Sequence, residues 1–411
     1  MIRAHVLLSE SIHASADDAF ERANISVHRS SAGLGPDELI TALNALPGEG
    51  PVMIGVRSKT KIRKQIFEAV PRLVAVGAFC IGTDQIDLDV ANEDGVAVFN
   101  APFSNTRSVA ELVIAEVVAL SRQLFARSWA AHEGNWRKDA KGAHEVRGKT
   151  LGIIGYGHIG SQLSVLAEAM GLRVIYHDIV NKLPLGNASA AESLDALLAE
   201  ADFVTLHVPN TPETRGMFGA EQIAKMKRGA YLVNASRGTV VDIEALRDAI
   251  QSKHVAGAAI DVFPAEPKAA GDRFTSPLQG LREVILTPHI GGSTQEAQAN
   301  IGREVSEALA GYMTTGRTTA CITLPNIDAP ALRPGGCRLV NIHRDVPGVL
   351  SAANQVVSQV GLNITGQRLE TGGGVGLLLM DVDLPRDDPR AEELRRGLQA
   401  LDHSLRTRLL G

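Results

Sequence analysis

The sequence predicts an α/β protein with a parallel sheet, a second, doubly wound parallel sheet and a C-terminal βαββαβ module. Three observations indicate this fold class. Short apolar runs alternate with helical stretches along most of the chain. A glycine-rich turn, GYGHIG, lies in mid-chain at residues 155–160. Residues 337–411 follow a different rhythm, and a length of 411 residues is enough for two or three domains.

Composition and charge exclude several function classes. The chain is 45% hydrophobic and 21% charged, a balance typical of a soluble globular enzyme. Its first residues do not form a secretory signal, and no apolar run approaches the roughly 20 residues that span a bilayer. We therefore expect no membrane partner. A net charge of −5 gives no field for gathering nucleic acid, so no nucleic-acid partner is expected either.

Cysteine usage indicates a reducing compartment. Cys80, Cys321 and Cys337 have neither metal-ligand spacing nor an even count for a disulfide framework. We interpret them as reduced thiols of a cytoplasmic protein. The sequence predicts no metal site.

The apolar runs of the first hundred residues are interpreted as strands of a parallel sheet, apolar throughout because both faces are covered. These runs are RAHVLL, PVMIGVRS, RLVAVGAF and VAVFNAP. A helix then follows over NTRSVAELVIAEVVALSRQ, with Asn105 or Thr106 as its N-cap. A second strand–helix series runs through LGIIGYG, RVIYHD, DFVTLHVP, AYLVNAS, AGAAIDVF and EVILTPH, and the helix STQEAQANIGREVSEALAGYM comes after it.

The C-terminal stretch is interpreted as a separate domain. CRLVNIHRD is strand-like, and PGVLSAANQVVSQVG is a helix with Pro347 near its first turn. LNITGQRLE and VGLLLMDVDL form a strand pair, DPRAEELRRGLQAL is a second helix and SLRTRLL is a closing strand. This order is that of a ferredoxin-like module. Gly335 and Gly336 precede it as a flexible hinge.

The glycine-rich turn has the context of a dinucleotide site. An apolar strand precedes Gly155, Gly157 and Gly160, and a helix with an apolar face follows them. Such glycines allow a tight turn, a close approach to a pyrophosphate and close packing of helix on strand, while the helix start offers N–H groups to phosphates. The next strand ends in Asp178, where a carboxylate accepts hydrogen bonds from ribose hydroxyls and repels a 2′-phosphate. The sequence therefore predicts NAD as the cofactor.

Three polar side chains follow strands of the same predicted sheet. Arg237 comes after AYLVNA, Glu266 after AAIDVF and His289 after VILT. Ligands of open α/β sheets sit outside the carboxyl ends of the strands, so this trio should share the rim with the cofactor. A histidine can take the proton of a hydroxyl near neutral pH, a carboxylate can fix its tautomer, and an arginine can grip a substrate carboxylate. The trio predicts hydride transfer at a 2-hydroxy acid.

The motifs NASRGTVVD, AIDVFPAEP and TPHIGGSTQEA, with GYGHIG upstream, resemble the signature of the D-2-hydroxyacid dehydrogenases. Over essentially its whole length the chain resembles the bacterial branch that carries a C-terminal ACT domain. In that family a Rossmann-type NAD domain is inserted into a flavodoxin-like substrate domain. The resemblance therefore implies a discontinuous substrate domain at residues 1–104 and 292–333, an NAD-binding domain at 105–291 and a ferredoxin-like ACT domain at 337–411.

The same resemblance implies roles for individual residues. His289 would be the acid/base, Glu266 its partner and Arg237 the group that binds the substrate carboxylate. Substrate contacts are implied in GVRSKT and VGAFCIGTDQID, namely Arg57, Ser58, Lys59, Cys80, Ile81 and Gly82. A solvated strand end is the other interpretation of the basic cluster in GVRSKT. The implied cofactor contacts are Gly155, Gly157, His158, Ile159, Gly160, Asp178, Ala235, Ser236, Arg237, Asp261, His289, Ile290, Gly291 and Gly292.

The resemblance implies an activity and its regulation. The activity is NAD-dependent oxidation of 3-phospho-D-glycerate to 3-phosphohydroxypyruvate, the first step of L-serine biosynthesis, with reduction of 2-oxoglutarate as a side activity. ACT domains pair across subunits, and the serine-sensing relatives use a histidine and asparagines. Here the matching positions are His343, Asp345 and Asn363, and Asp345 adds a negative charge where those relatives carry asparagine. A homo-oligomer is expected, commonly a tetramer in relatives, and Trp136 matches a segment that reaches a neighbouring subunit.

Two alternatives remain open at this point. The first is an NAD-dependent dehydrogenase of another, unphosphorylated D-2-hydroxy acid. The second belongs to another class, because some proteins of this fold are NAD-sensing corepressors that bind partner peptides. Those proteins lack a C-terminal ACT module.

Overall fold

The computed structural model describes residues 4–267 and 271–411. Arg3, at the start of the predicted strand RAHVLL, lies outside the described residues. The chain divides into two compact units. One unit comprises the residues up to Ser104 together with Gln298–Gly411, and the other is Asn105–Ala297. No helix within residues 4–267 or 271–411 has the length and apolar character that crossing a membrane requires.

The first unit begins with a five-stranded parallel sheet, called the outer sheet below. Its elements in chain order are β1 (His5–Leu8), a 3-10 turn (Ala14–Ala16), α1 (Asp17–Arg22), β2 (Ser26–Arg29), α2 (Pro36–Asn44), β3 (Val52–Val56), α3 (Lys64–Ala69), β4 (Leu73–Ala78), α4 (Leu88–Glu93) and β5 (Ala97–Phe99). The sheet order is β2-β1-β3-β4-β5. All residues of β1, β3, β4 and β5 are buried, as expected for parallel strands covered on both faces. The strand β2 was not predicted, because SVHR is a short, half-exposed edge strand without an apolar run.

The second unit carries a seven-stranded parallel sheet. Its elements are α5 (Thr106–Ser121), α6 (Leu124–His132), β6 (Thr150–Ile154), α7 (His158–Ala169), β7 (Arg173–His177), β8 (Ser189–Ala190), α8 (Leu194–Glu200), β9 (Phe203–Leu206), α9 (Ala220–Lys225), β10 (Tyr231–Asn234), a 3-10 turn (Gly238–Val240), α10 (Ile243–Gln251), β11 (Gly257–Ile260) and β12 (Val284–Leu286). The sheet order is β12-β11-β10-β9-β6-β7-β8. The order reverses between β9 and β6, so the glycine-rich turn after β6 lies at the point where such sheets bind dinucleotides.

The first unit resumes within a long helix, α11 (Gln295–Thr315). This helix packs directly on β4, because a side chain at Gly77 would overlap Val305 and Leu309 of the helix. The C-terminal elements are β13 (Cys337–Arg344), α12 (Val349–Gln359), β14 (Ile364–Gly372), β15 (Val375–Val382), α13 (Pro389–Gln399) and β16 (Ser404–Leu410). Their order is the predicted βαββαβ, in an antiparallel sheet with the order β14-β15-β13-β16. Pro347 lies before the N-cap of α12, Gly348, rather than in its first turn.

The C-terminal sheet is covered on both faces. On one face, Leu339 and Met380 pack in a core with α12 and α13. On the other face, Val340 and Ile342 belong to the same buried core as the strands of the outer sheet. The C-terminal sheet therefore forms one compact unit with the outer sheet. Apolar side chains on both faces of β13 account for this packing, since a strand of that kind needs cover on each side.

A buried ion pair anchors this sheet. Arg338 is 2% exposed and forms a bidentate pair with Asp381, at 2.5 and 2.7 Å. The same guanidinium donates to the carbonyl oxygens of Thr315, at the end of α11, and Pro330. A buried arginine with four such hydrogen bonds fixes the geometry of the groups it contacts. The glycine pair at 335–336 is thus followed by a well-anchored strand.

Candidate active site

The glycine-rich turn has the shape that a pyrophosphate requires. Gly155 has a φ of +92°, and a side chain there would overlap the carbonyl oxygen of His207. A side chain at Gly160 would overlap the carbonyl oxygen of Gly155, so α7 can pack closely on β6 only with glycine at this position. A side chain at Gly157 would meet nothing within 4 Å, so the backbone faces open space at the start of α7. The positive end of this helix and its N–H groups suit an anion there.

Asp178 directly follows β7 and lies beside the glycine-rich turn. Its carboxylate accepts hydrogen bonds from the backbone N–H of Tyr156, at 2.8 Å, and of Val180, at 2.9 Å. A carboxylate has about four acceptor positions, so two remain for ribose hydroxyls. The residues present fit the adenosine half of NAD, and His158 and Ile159 form the first turn of α7.

Glu266 and His289 form a hydrogen-bonded pair. The Nδ1 atom of His289 lies 3.0 and 2.9 Å from the two carboxylate oxygens of Glu266. Because a carboxylate only accepts, the proton of a neutral imidazole must sit on Nδ1, and Nε2 is left as the basic atom. The side chains are 48% and 36% exposed within the chain, so a substrate can reach the pair.

The pair shifts the pKa values of both partners. The hydrogen bond to Glu266 raises the pKa of His289 above its ordinary value; burial and the Arg237 charge oppose this, while the charges of Glu266 and Asp261 reinforce it. Burial favours the neutral form of Glu266, but the hydrogen bond from His289 and the charges of His289 and Arg237 outweigh it, so the pKa of Glu266 is lowered. The backbone N–H of Phe263 also donates to this carboxylate, at 3.2 Å. The pair thus favours the imidazolium–carboxylate state.

Asp261 holds the segment that carries His289. Its buried carboxylate accepts from the Thr287 hydroxyl at 2.7 Å and from the backbone N–H of Ile290 and Gly291 at 2.8 Å each. His289 itself adopts a left-handed backbone conformation with a φ of +54°, which costs free energy unless neighbouring contacts hold it. Asp261 therefore fixes a strained turn that presents the imidazole.

The segment after β10 places Arg237 near the pair. Ser236 is buried and its hydroxyl donates to the Asn234 side chain at 2.7 Å, while the Arg237 guanidinium donates to the Ser236 carbonyl at 2.8 Å. The Arg237 charge acts on the pKa of both Glu266 and His289, which locates all three predicted groups in one region. Ala235 and Gly292 lie on the adjoining segments, after β10 and after the His289 turn.

The two predicted substrate stretches of the first unit are also in contact. Arg57, Ser58 and Lys59 follow β3, and Cys80, Ile81 and Gly82 follow the neighbouring parallel strand β4. The Cys80 thiol lies 3.8 Å from the Arg57 carbonyl oxygen and 3.1 Å from that of Gly82. In the part of the chain that the structure describes, neither the Arg57 nor the Lys59 side chain has an ion-pair or hydrogen-bond partner. Two cations are thus available beyond the carboxyl ends of β3 and β4.

The predicted effector histidine lies in a buried polar network of the C-terminal sheet. His343 is 3% exposed, and its Nδ1 lies 3.1 Å from the Asn341 side-chain oxygen. The Asn341 amide donates in turn to the hydroxyls of Ser404 and Thr407, at 2.8 Å each. Burial lowers the pKa of His343 despite the charge of Asp345. The imidazole is therefore neutral near pH 7.

The three predicted effector residues do not meet within one chain. Asp345 follows β13 and is exposed, next to His343. Asn363 precedes β14, whose first residue is level with the opposite end of β13, so Asn363 and His343 are separated by the length of the strand. At about 3.3 Å per residue that separation is roughly 20 Å. A single small ligand could contact both residues only if two chains contribute.

Glu116 was not predicted from the sequence. It is 4% exposed on α5, and neither carboxylate oxygen has a hydrogen-bond partner among the described residues. Burial, followed by the charge of Asp261, raises the pKa of Glu116 to about 8. The helical period offers a signal, because positions 109, 113, 116, 117 and 120 share the buried face of α5. A protonated acid thus lies close to the carboxylate that holds the His289 segment.

Within residues 4–267 and 271–411, no group of three or more His, Cys, Asp or Glu side chains is arranged to hold a metal ion. The three cysteines are free thiols.

Comparison with known proteins identifies the family. Residues 114–291 match the profile "D-isomer specific 2-hydroxyacid dehydrogenase, NAD binding domain". The chain is 48% identical over 407 residues to the D-3-phosphoglycerate dehydrogenase of Escherichia coli (strain K12), covering 98% of this chain and 97% of that protein. It is 46% identical over 405 residues to the D-3-phosphoglycerate dehydrogenase of Dictyostelium discoideum, covering 98% and 97%.

Solved structures agree with this relationship. A D-lactate dehydrogenase from Aquifex aeolicus, complexed with NAD and lactic acid, is similar with a TM-score of 0.64 at 29% identity, over 75% of this chain and 95% of that one. A glyoxylate reductase from Paecilomyes thermophila has a TM-score of 0.68 at 28% identity, over 78% and 98%. The glycine-rich turn, the His289–Glu266 pair and these relatives lead to one conclusion: the chain belongs to the D-isomer-specific 2-hydroxyacid dehydrogenase family and is an NAD-dependent oxidoreductase.

Proposed function

We propose that the chain catalyses the NAD-dependent oxidation of 3-phospho-D-glycerate to 3-phosphohydroxypyruvate, the entry reaction of L-serine biosynthesis. Relatives named D-3-phosphoglycerate dehydrogenase match nearly the whole chain at 46–48% identity. The observation that carries the chemistry is the contact between Nδ1 of His289 and the Glu266 carboxylate, which leaves Nε2 as a base. Reduction of 2-oxoglutarate is proposed as a side activity of the same groups.

The oxidation requires two transfers from the substrate. NAD, when held by the glycine-rich turn and Asp178, would supply the acceptor for the hydride. The Nε2 atom of His289 takes the hydroxyl proton, and Glu266 stabilises the imidazolium that results. In the reverse direction the same imidazolium returns the proton. Since the neutral imidazole is the base, oxidation should speed up as the pH rises through the raised pKa of His289, and reduction should slow down.

Two sets of cations bind the anionic ends of the substrate in this proposal. Arg237 can grip the carboxylate with two parallel hydrogen bonds and hold the reacting carbon in place. Arg57 and Lys59, with Ser58, bind the phosphate, and the backbone of Cys80, Ile81 and Gly82 contributes to the carboxylate site. Neither the Arg57 nor the Lys59 side chain has an ion-pair partner among the described residues, so both charges are available to an anionic ligand.

The NAD contacts follow from the same geometry. The turn Gly155–Gly160 would hold the pyrophosphate, Asp178 the ribose hydroxyls, and the segments around Ala235 and Asp261 the nicotinamide half. The residues 289–292 border this half. The open backbone at Gly157 and the two acceptor positions left on Asp178 support this assignment.

Replacing Asp178 with serine should weaken NAD binding and relax the choice of cofactor. Loss of a hydrogen bond to a charged acceptor typically costs about 1.5–3 kcal/mol, so we expect the KM for NAD to rise about 10- to 100-fold while NADP becomes a usable cofactor. Steady-state kinetics with both cofactors would measure this. Asp242→Ser is the matched control, because Asp242 also accepts a backbone N–H in this unit but caps α10. An unchanged preference for NAD would remove Asp178 from the ribose site.

Charge reversal at Arg57 and Lys59 tests the substrate. The double variant Arg57→Glu and Lys59→Glu should lower kcat/KM for 3-phosphoglycerate about 100-fold or more, since each charge-assisted hydrogen bond contributes about 1.5–3 kcal/mol. Turnover of D-glycerate, which has no second anionic group, should stay within about twofold because no phosphate is bound. Lys61→Glu is the control, as the Lys61 ammonium is already bonded to the Ser58 carbonyl. Equal losses with both substrates would refute the phosphate role.

We further propose that residues 337–411 are an ACT domain with L-serine as effector. The βαββαβ order supports the domain, and the separation of His343 from Asn363 supports a site shared by two chains. The domain division at 1–104 with 292–333, 105–291 and 337–411 is retained as a proposal. We also propose a cytoplasmic tetramer; Trp136, which is 87% exposed within the chain, is a candidate interface anchor. Inhibition of the full-length protein by added L-serine is the measurement.

A further inference from the structure

Glu10 lies beneath the loop that carries Arg57 and Lys59. It follows β1, whose parallel neighbour β3 leads into that loop, and it is only 8% exposed. Its carboxylate accepts three backbone hydrogen bonds: from the N–H of Arg57 at 3.1 Å, of Lys59 at 2.9 Å and of Thr60 at 2.8 Å. The loop is therefore wrapped around a carboxylate that comes from another strand.

The backbone of Glu10 is strained. Its φ of +61° places it in the left-handed region, which is unfavourable for a residue with a side chain. The preceding residue, Ser9, is buried and bonds the Gly55 carbonyl of β3 through both its N–H, at 2.9 Å, and its hydroxyl, at 3.0 Å. On the outer side, the backbone N–H of Leu34 donates to the Thr60 hydroxyl at 3.1 Å. The strained backbone of Glu10 is thus held in place by its neighbours.

The three N–H groups form a concave array of the kind that binds anions. In this chain an internal carboxylate already fills that array, so these amides are not available to a substrate anion. Among the described residues, the Glu10 carboxylate accepts only from backbone N–H groups. The Arg57 and Lys59 side chains do not pair with it, although their own backbone N–H groups do. Both cations are therefore left for an external anion.

We propose that Glu10 is a positioning residue for phosphate recognition: by occupying the amide array of residues 57–60 it fixes the loop so that the side-chain cations select the phosphate. This inference rests on the proposed phosphate role of Arg57 and Lys59. It assigns specificity to a residue that touches no substrate. A backbone array would accept any small anion, whereas two fixed cations favour a dianionic group.

Two substitutions separate position from charge. Glu10→Gln keeps the length but turns an N–H group toward the loop, so at least one backbone donor loses its acceptor. Glu10→Asp keeps the charge but is one methylene shorter and cannot span the same three donors. If Glu10 positions the loop, both variants should raise the KM for 3-phosphoglycerate about tenfold or more, while kcat and the KM for NAD stay within about twofold. The KM for D-glycerate, which lacks a second anionic group, should also stay within about twofold.

A control variant of the same unit shows whether the effect is particular to Glu10. Glu38→Gln is the matched control, because Glu38 also accepts a backbone N–H in this unit, from Gly35 at 2.9 Å, but caps α2. A lower KM for 3-phosphoglycerate in Glu10→Gln would mean that Glu10 acts by repelling the phosphate. An equal rise in KM for both substrates would mean a general structural role. Either of these results, or an unchanged KM, overturns the inference. If Glu10→Gln does not fold, Glu10→Asp alone decides between these outcomes.

Failure of this inference can be told from failure of the proposed function. If the double charge reversal at Arg57 and Lys59 abolishes selectivity for 3-phosphoglycerate but the Glu10 variants do not, only the positioning role is wrong. If the double charge reversal leaves that selectivity intact, the phosphate site itself lies elsewhere. Competitive inhibition by inorganic phosphate gives an independent measure, and its inhibition constant should rise in parallel with the KM for 3-phosphoglycerate.

Discussion

Replacing His289 with alanine is expected to lower the rate of NADH formation by about 10²–10⁴-fold, the usual contribution of a positioned acid/base. Without Nε2 no group of the His289–Glu266 pair remains to take the hydroxyl proton. Binding of NAD should persist, because the glycine-rich turn and Asp178 are held by backbone contacts that do not involve His289. Absorbance assays of NADH formation would measure turnover, and quenching of protein fluorescence by NADH would measure cofactor binding.

His254→Ala is the matched control for this prediction. His254 lies in the same unit and bonds the Ile223 carbonyl through Nε2, at 3.0 Å, so its loss can affect stability but not proton transfer. We expect its kcat to stay within about threefold of the original. Retained turnover in His289→Ala would mean that another group takes the proton, and the mechanism proposed for the pair would be wrong.

Replacing Glu116 with glutamine is expected to change how stability depends on pH. The pKa of about 8 in the folded protein stands against 4.5 for an ordinary glutamate. Between these values the folded state binds a proton that the unfolded state has lost, so the free energy of unfolding falls as the pH rises. From pH 5 to pH 8 the ionisation of Glu116 should lower the free energy of unfolding by about 3 kcal/mol. The glutamine cannot ionise, so the variant should lack this loss.

The comparison between pH values isolates the ionisation. A buried glutamine carries its own cost, but that cost is the same at pH 5 and pH 8 and cancels in the difference. Glu111→Gln is the control: Glu111 lies on the same helix, is 59% exposed and pairs with Arg107. Denaturant unfolding of each protein at both pH values is the measurement. If the gap between the original protein and Glu116→Gln stays constant with pH, Glu116 is ionised in the folded state and the account of its burial is wrong.

Much of the active-site region could be predicted from the sequence because its signals are local. The spacing of Gly155, Gly157 and Gly160 reflects steric limits within one turn. Arg237, Glu266 and His289 each follow a strand, and parallel neighbouring strands end at the same edge of a sheet. The contact between Glu266 and His289 follows from that geometry without knowledge of the wider fold.

Other features depend on contacts that no local pattern reveals. Glu10 meets its three backbone partners 47 to 50 positions along the chain, so its role appears only when β1 and β3 are paired. The position of Glu116 on the apolar face of α5 was readable from the helical period, but a carboxylate there contradicts the usual polarity of a buried face. The packing of β13 onto the outer sheet could not be predicted, because the sequence does not show which face of that strand meets the sheet.

The substrate preference of the protein shows whether the phosphate of 3-phosphoglycerate is recognised. Initial rates of NADH formation should be measured with 3-phosphoglycerate, D-glycerate, D-lactate and D-2-hydroxyglutarate at equal NAD concentration. We expect kcat/KM for 3-phosphoglycerate to exceed that for D-glycerate by about 100-fold or more, since the two differ by the phosphate that Arg57 and Lys59 would bind. Equal or faster oxidation of an unphosphorylated 2-hydroxy acid would contradict it.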